Sequence, residues 1–138
     1  MSDVGYRKWL GLTYEEMTDE QAIVSLDLDS DKVNVRGVGH GGVVASLVDV
    51  TMGTAAGGGN YATRKRLVAT QELKVNYLAP ATGTRMTATA KVIRAGSRSI
   101  IVSCDVVTDT GVHCATALGT FMTRRVSARD PDRFQSKT

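Results

Sequence analysis

The chain has 138 residues, of which 42% are hydrophobic and 22% charged, and its formal net charge is +3. This length suits one domain over residues 1–138, and no stretch approaches the roughly 20 apolar residues that a membrane span requires. The N-terminal MSDVGYRKWL lacks the apolar run of a secretory signal and the charge is too small to favour nucleic-acid binding, so we expect a cytoplasmic protein with no membrane or nucleic-acid partner.

The first half of the chain predicts a strand and then a helix. Residues 21–29 alternate apolar and polar side chains, as in a strand with one face on a core. Residues 43–56 are apolar on nearly every side and too long for an average strand, so they predict a buried helix. Gly41 and Gly42 stand at its start, and the glycines within residues 57–61 end it because they tolerate left-handed backbone angles.

The second half of the chain has the pattern of strands throughout. Short turns at residues 81–83 and 109–111 favour antiparallel pairing of successive strands. The sequence therefore predicts an α+β protein in which a long antiparallel sheet wraps around one central helix. We expect the polar residues 126–138 to form a flexible tail. The strands predicted in this second half of the chain are four, at residues 67–80, 84–94, 97–108 and 112–125.

Cysteine and histidine are too few in this sequence to predict a metal site. Cys104 and Cys114 are its only cysteines, His40 and His113 its only histidines, and their spacing matches no zinc motif. We expect two buried structural thiols and a protein that needs no metal or other cofactor.

Asp49 is the one carboxylate inside the predicted helix, and no other charged side chain occurs between Arg36 and Arg64. An ionised carboxylate in apolar surroundings is costly unless it is paired or used. Two interpretations remain open. Asp49 either pairs with a base such as Arg64 or caps a loop, or it lines a cleft as a catalytic acid.

Gly41 and Gly42 leave unpaired N–H groups at the positive end of the predicted helix, where an anion or a developing oxyanion can bind. Glycine also lets a substrate carbonyl approach the backbone closely. A tight turn is the alternative. His40 directly before the two glycines favours a functional site, although a lone histidine is more often packed or capping.

The spacing of Gly42 and Asp49 predicts self-association. They are seven residues apart, which corresponds to about 10 Å along a helix at ~1.5 Å per residue. One chain cannot direct both groups at one carbonyl. If both act on one reacting centre, Gly42 comes from one protomer and Asp49 from another, with two helices antiparallel across a two-fold axis. We therefore expect at least an obligate dimer.

Two linked motifs resemble a known family. The chain has Asn34, then His40-Gly41-Gly42, then Leu47-Val48-Asp49, and later LKVNYLAPA at residues 73–81. This pattern resembles the hot-dog-fold thioesterases of the phenylacetate-pathway (PaaI-like) type over most of the chain. The resemblance implies a hot-dog fold with a short N-terminal helix. It also implies an acyl-coenzyme A substrate and a homodimer that pairs further into a homotetramer.

The resemblance also implies roles for individual residues. Asp49 matches the nucleophile or general base, and the Gly42 N–H matches the oxyanion donor. Asn34 matches the residue that orients the thioester or water, and Thr70 matches a hydroxyl that holds the attacking water. In such a site Asn34 and Gly42 come from one subunit and Asp49 and Thr70 from its partner, which agrees with the distance argument. A thioester needs only these groups, because its carbonyl is electrophilic and its thiolate leaves readily.

Two basic segments are candidates for the nucleotide of coenzyme A. The turn of Arg94, Gly96, Ser97 and Arg98 matches the place where such thioesterases hold it, and arginine suits phosphates. A solvated hairpin turn is the alternative. The segment 64–66 is a weaker candidate that is expected to be a solvated loop.

Other functions are disfavoured by specific features. Residues 37–42, GVGHGG, fit a dinucleotide-binding fingerprint, but no acidic residue follows at the ~20-residue offset that the ribose requires, and no helices separate the later strands. A dehydratase would need a different arrangement of histidine and acid. A non-hydrolytic acyl-coenzyme A-binding or sensing protein remains the alternative, although binding alone needs no carboxylate at Asp49.

Overall fold

A computed structural model describes residues 3–59, 66–125 and 127. The predicted tail, apart from Ser127, and the candidates Arg64 and Lys65 lie outside these residues. Neither helix in the described part is long and apolar enough to span a membrane. The elements, in chain order, are α1 (Gly5–Leu10), β1 (Thr13–Met17), β2 (Gln21–Asp27), α2 (Gly41–Gly57), β3 (Arg66–Tyr77), β4 (Arg85–Ala95), β5 (Ser99–Thr108) and β6 (His113–Arg125).

The α+β prediction is confirmed. The strands form one antiparallel sheet in the order β1-β2-β4-β5-β6-β3, and α2 packs against β2 to β6. Successive strands from β4 to β6 are neighbours, as their short turns predicted. This is the hot-dog arrangement that the family resemblance implied, including the short N-terminal helix α1.

One expected strand pairing is wrong, because β3 does not pair with β4. It pairs with β6 at the sheet edge, with Leu67 opposite Arg124 and Tyr77 opposite Ala115. The intervening residues 78–84 cross the end of the sheet instead of forming a hairpin. Seven residues span up to about 23 Å, which exceeds the roughly 15 Å across three strand spacings. The length of this connection therefore permits both arrangements.

Strand β1 is not predicted by the sequence pattern. Its five residues are mostly charged or polar, and their burial does not alternate cleanly because the pairing with β2 shifts register between Tyr14 and Glu16. The irregularity hides the two-residue period that identifies a strand. The next strand, predicted over residues 21–29, ends at Asp27.

The core lies between α2 and the inner face of the sheet. Leu47, Val48 and Met52 of α2 are fully buried there, opposite strand residues such as Val102 and Phe121. Burying each such side chain contributes about 1.5–3 kcal/mol. Their removal from water fixes α2 against the sheet, and with it the direction of every polar group on the helix.

Both ends of α2 follow from local chemistry. His40 has extended backbone angles and caps the first turn, and Gly58 ends the helix with a left-handed φ of 71°. The helix begins two residues before the predicted start. Its outer stripe, which includes Ala45, Asp49 and Gly53, is only half-buried, so the sheet of one chain does not enclose the helix fully.

Three hydrogen bonds from β3 hold α2 along its length, and their order shows that the two elements run antiparallel. They join Arg66 Nε to the Ala56 carbonyl (3.0 Å), Thr70 Oγ1 to Asp49 Oδ1 (2.6 Å) and the Tyr77 hydroxyl to the Gly41 carbonyl (2.7 Å).

Candidate active site

Asp49 lies in the middle of α2 and is held from β3. The Thr70 hydroxyl donates to Asp49 Oδ1 at 2.6 Å. Thr70 stands at a register shift of β3, and its side chain is exposed. Among residues 3–59 and 66–125, no cation lies within ion-pair distance of Asp49, and no donor bonds Oδ2. The partner Arg64 of the alternative interpretation lies outside the described residues.

The two backbone amides at the start of α2 differ in whether a described residue accepts a hydrogen bond from them. His40 Nδ1 accepts a hydrogen bond from the Gly42 N–H at 2.9 Å. Nδ1 accepts only when it carries no proton, so the neutral ring in this arrangement has its proton on Nε2. The Gly41 N–H has no acceptor among the described residues. The His40 carbonyl accepts from the amides of Val43 and Val44 at 2.9 and 3.0 Å, which closes the helical turn.

Asn34 is in the loop before α2, in a well-defined turn. Its Oδ1 accepts from the Arg36 N–H at 2.9 Å, and its backbone bonds to Val38 and Gly37. The side-chain carbonyl is therefore used within the loop, whereas no described acceptor bonds the side-chain NH₂ group. Asn34 can act on a substrate only as a donor while this turn persists.

An open depression of about 440 Å³ lies at the start of α2. It brings Asn34 and Gly41 together, and Tyr77 and Leu78 form part of its wall. Asp49 and Thr70 do not line this depression. Gly42 and Asp49, seven residues apart, are separated by about 10 Å along α2. The helix-start amides and the carboxylate therefore lie in two separate regions of one chain, which are called half-sites below.

Tyr77 is a residue at this site that the sequence analysis did not single out. Its hydroxyl donates to the Gly41 carbonyl at 2.7 Å, and its ring lies 3.6 Å from the position that a Cβ on Gly41 would occupy. Its place in the LKVNYLAPA motif was the available signal. The motif alone does not indicate that the end of β3 meets the start of α2.

The basic segment 94–98 lies where β4 meets β5, as predicted, but Arg94 is still within β4 and only Gly96, Ser97 and Arg98 form the turn. The side chains of Arg94 and Arg98 are exposed, and Ser97 is in the bend. Gly96 is required there, because a Cβ would lie 2.9 Å from the Ser99 carbonyl. The Arg98 carbonyl accepts from the Thr123 N–H at 3.0 Å.

This turn lies at the opposite end of the sheet from the helix-start glycines. Thr123 is paired with Val68 of β3, two residues before Thr70. The turn is therefore at the end of the sheet nearer to the carboxylate half-site.

Arg66 differs from the solvated loop residue that was expected. It begins β3, is partly buried, and donates to the Ala56 carbonyl at 3.0 Å. A cation on the last carbonyls of a helix is favourable because the helix dipole is negative there. Arg66 stabilises the end of α2 and is not available for a nucleotide while it does so.

The two cysteines are free and buried, as predicted. Burial raises the pKa of the Cys104 thiol to about 12 and raises that of Cys114 as well. A thiol with a raised pKa is a poor nucleophile at neutral pH. In the described part of the chain, no group of three or more His, Cys, Asp or Glu side chains is arranged to hold a metal ion.

The chain is similar to a family model, to a protein of known name and to solved structures. Residues 36–115 match the model of the thioesterase superfamily. The chain is 30% identical over 132 residues to the medium/long-chain acyl-CoA thioesterase YigI of Salmonella typhimurium, covering 85% of this chain and 84% of that protein. The solved structure of the conserved protein PA5202 from Pseudomonas aeruginosa has a TM-score of 0.79 and 32% identity, over 88% of this chain and 95% of that one. A Shewanella oneidensis structure related to the thioesterase superfamily has a TM-score of 0.76 and 28% identity, over 86% of each chain.

Proposed function

Because the chain belongs to the thioesterase superfamily, we propose that it hydrolyses an acyl-coenzyme A to a free acid and coenzyme A, with Asp49 as the catalytic carboxylate. This assignment rests on the burial and the hydrogen bonds of Asp49. It lies half-buried in an otherwise apolar helix, one oxygen is held by Thr70, and the other has no donor among the described residues. A carboxylate oriented through one oxygen can use the other on water or on a carbonyl carbon.

Thioester hydrolysis can follow two routes with the groups present, and Asp49 has a different role in each. As a general base, Asp49 takes a proton from water, and the water oxygen bonds to the thioester carbon. The carbon–sulfur bond then breaks, and the departing thiolate takes a proton back from the carboxyl group. As a nucleophile, Asp49 itself bonds to the carbon and displaces the thiolate, and water then cleaves the resulting anhydride. Both routes need a donor for the oxyanion that forms at the carbonyl.

The start of α2 supplies that donor. The Gly41 N–H has no described acceptor, and the Gly42 N–H can exchange His40 Nδ1 for the substrate oxygen. Both point from the positive end of a 17-residue helix. His40 then holds the first turn in shape until the substrate arrives, and the NH₂ group of Asn34 is available to orient the thioester.

The complete site is proposed to form between two subunits. The helix-start amides and Asn34 of one chain meet Asp49 and Thr70 of a second chain, because about 10 Å separates the two half-sites within a chain. Two features support this dimer. Within the described part of the chain, strand β3 has a partner on one side only, and the outer stripe of α2 that carries Asp49 is half-exposed. An edge strand of 12 residues readily pairs with a second copy. Further pairing into a tetramer is part of the same proposal.

Coenzyme A is proposed to bind at the segment that contains Arg94, Gly96, Ser97 and Arg98. Two exposed guanidinium groups, Arg94 at the end of β4 and Arg98 in the following turn, suit a nucleotide diphosphate. The motif at Asn34 and residues 40–42 further suggests the phenylacetate-pathway type. We also propose a cytoplasmic location, since two cysteines without a disulfide are typical of a reducing compartment.

A thiol-release assay over a panel of acyl-coenzyme A compounds tests this function. The panel includes phenylacetyl, short-chain and medium-chain acyl groups. We expect turnover by the wild-type protein and a loss of kcat of at least about 100-fold in Asp49→Asn, because the amide neither accepts the proton nor attacks. Asp105→Asn, which removes an exposed carboxylate of β5 whose Oδ1 lies 2.8 Å from His113 Nε2, is the control and should retain kcat.

Two results would contradict the proposal. Tight binding of acyl-coenzyme A without thiol release would identify a binding or sensing protein instead. Near-normal kcat in Asp49→Asn would require a different catalytic group. The melting temperature of each variant shows whether the fold survives the substitution.

A further inference from the structure

Tyr77 is the last residue of β3, and its side chain is 55% exposed at the depression that also includes Asn34 and Gly41. So exposed a ring contributes little to the core, yet its hydroxyl makes a hydrogen bond of 2.7 Å to the Gly41 carbonyl. The ring also covers Gly41, 3.6 Å from the position of a Cβ there. The side chain is therefore directed at one peptide group at the start of α2.

That peptide group is the one proposed to bind the oxyanion. The Gly41 carbonyl and the Gly42 N–H belong to the same planar peptide unit, so a donor on the oxygen fixes the direction of the N–H. It also draws electrons toward the oxygen and makes the N–H a stronger donor. At its other end the unit is bonded to His40 Nδ1 at 2.9 Å. Both ends of the peptide are held before any substrate binds.

We propose that Tyr77 is a positioning residue for thioester hydrolysis, whose hydroxyl orients and polarises the Gly41–Gly42 peptide for the developing oxyanion. This inference rests on the proposed function. The Tyr77 hydroxyl acts on charge that appears only in the transition state, so it contributes to kcat more than to KM. Tyr77 itself does not exchange protons with the substrate.

A second tyrosine provides a matched control. The Tyr6 hydroxyl lies 2.6 Å from Ser46 Oγ, which donates to the Gly42 carbonyl at 2.8 Å. Tyr6 is 57% exposed, close to the exposure of Tyr77. It reaches the same turn of α2, but through the following peptide, whose N–H belongs to Val43 and already bonds the His40 carbonyl. Loss of the Tyr6 hydroxyl therefore leaves the oxyanion peptide untouched.

The kinetic test compares Tyr77→Phe with Tyr6→Phe and the wild-type protein. Tyr77→Phe keeps the ring over Gly41 and removes only the hydroxyl. We expect kcat to fall about 3- to 10-fold in Tyr77→Phe with KM within about twofold, as for the loss of one hydrogen bond that acts in the transition state. Tyr6→Phe should change kcat by less than about twofold. Equal effects of the two variants, or a change confined to KM, would overturn the inference.

A measurement without turnover separates this inference from the proposed function. With ¹⁵N-glycine labelling, the amide resonance of Gly42 should shift upfield in Tyr77→Phe and stay in place in Tyr6→Phe, because a less polarised N–H has a more shielded proton. An unmoved Gly42 resonance in Tyr77→Phe overturns the positioning role even if kcat falls. If the wild-type protein hydrolyses no thioester but the resonance shifts, the proposed function is wrong. Only the hydrogen bond from Tyr77 to the Gly41 carbonyl is then confirmed.

Discussion

At the scale of single residues, the sequence indicated which side chains to examine but not what they contact. Asp49 stood out because it is the one carboxylate of an apolar helix, and it does lie on a half-exposed stripe. Its partner Thr70 was proposed only through the family resemblance, because the two are 21 positions apart and meet only when β3 packs on α2. Tyr77 went unrecognised for the same reason. Contacts between distant elements are not encoded in a local pattern.

His40 gives the first prediction at this scale. Its ring caps α2 through the Gly42 N–H, so His40→Ala should lower the free energy of unfolding by about 1 kcal/mol. His40→Ser, which also provides an N-cap acceptor, should restore most of that loss. Urea unfolding of the three proteins measures the effect.

The same pair of variants tests what the ring does in catalysis. If His40 acts only by holding the first turn, His40→Ser keeps most of the wild-type kcat. A stable His40→Ser protein with a kcat reduced about 100-fold would contradict this, because it would show that the imidazole itself takes part in the reaction.

At the scale of elements, periodicity and glycine placement were sufficient for α2 and for the strands from β4 to β6. They failed for β1, where a register shift interrupts alternation, and for the partner of β3. A seven-residue connection can either turn back or cross the end of a sheet, and only the packing of the whole chain decides. The packing of β3 on α2 brings Thr70 to Asp49 and Tyr77 to Gly41, which belong to the two proposed half-sites.

The turn between β4 and β5 gives a prediction about binding. Arg98→Ala should raise KM for acyl-coenzyme A about 3- to 10-fold and leave kcat nearly unchanged, since the nucleotide is bound equally in the ground and transition states. Lys91→Ala, which removes an exposed cation from the same strand β4, is the control. A KM for Arg98→Ala equal to that of the control would indicate that this turn is a solvated hairpin that does not bind the nucleotide.

The turn after β5 gives a prediction about pH. Thr84 donates to Asp109 from its hydroxyl at 2.7 Å and from its N–H at 2.9 Å, and these bonds lower the pKa of the carboxyl group below its ordinary value of 3.8. A lowered folded-state pKa stabilises the fold above the ordinary value, and this contribution is lost as the pH falls through the folded-state pKa.

We therefore expect Asp109→Asn to be less stable than the wild type at neutral pH, and the difference in unfolding free energy to be smaller at pH 3 than at neutral pH. Urea unfolding at the two pH values makes the comparison. A difference in unfolding free energy that stays constant between neutral pH and pH 3 would show that the carboxylate contributes nothing specific to this turn.

At the scale of the whole molecule, the distance between two groups on α2 is the basis of the proposed quaternary structure. The spacing of Gly42 and Asp49 on one helix already separates donor and carboxylate by about 10 Å. The structure adds that the start of α2 lines the depression with Asn34, whereas Asp49 lies on the half-exposed stripe beside the edge strand β3. The edge position of β3, on which the proposed dimer depends, could not be predicted from the sequence, because the packing of the whole chain decides which strand is left at the edge.

Each site is proposed to take Asn34 and the helix-start amides from one subunit and Asp49 from the other, and subunit complementation tests this arrangement. Asn34→Asp keeps the acceptor for the Arg36 N–H and removes the amide donor, and Asp49→Asn removes the carboxylate. Each variant alone should be nearly inactive. Random co-assembly by co-expression or joint refolding leaves about one quarter of the sites with both intact residues.

We therefore predict that the mixed protein regains about a quarter of the wild-type thiol-release rate, although neither parent is active. Size-exclusion chromatography with light scattering confirms that dimers or larger assemblies have formed. A mixture no more active than its parents would contradict the account, because it would place Asn34 and Asp49 of one chain in the same site.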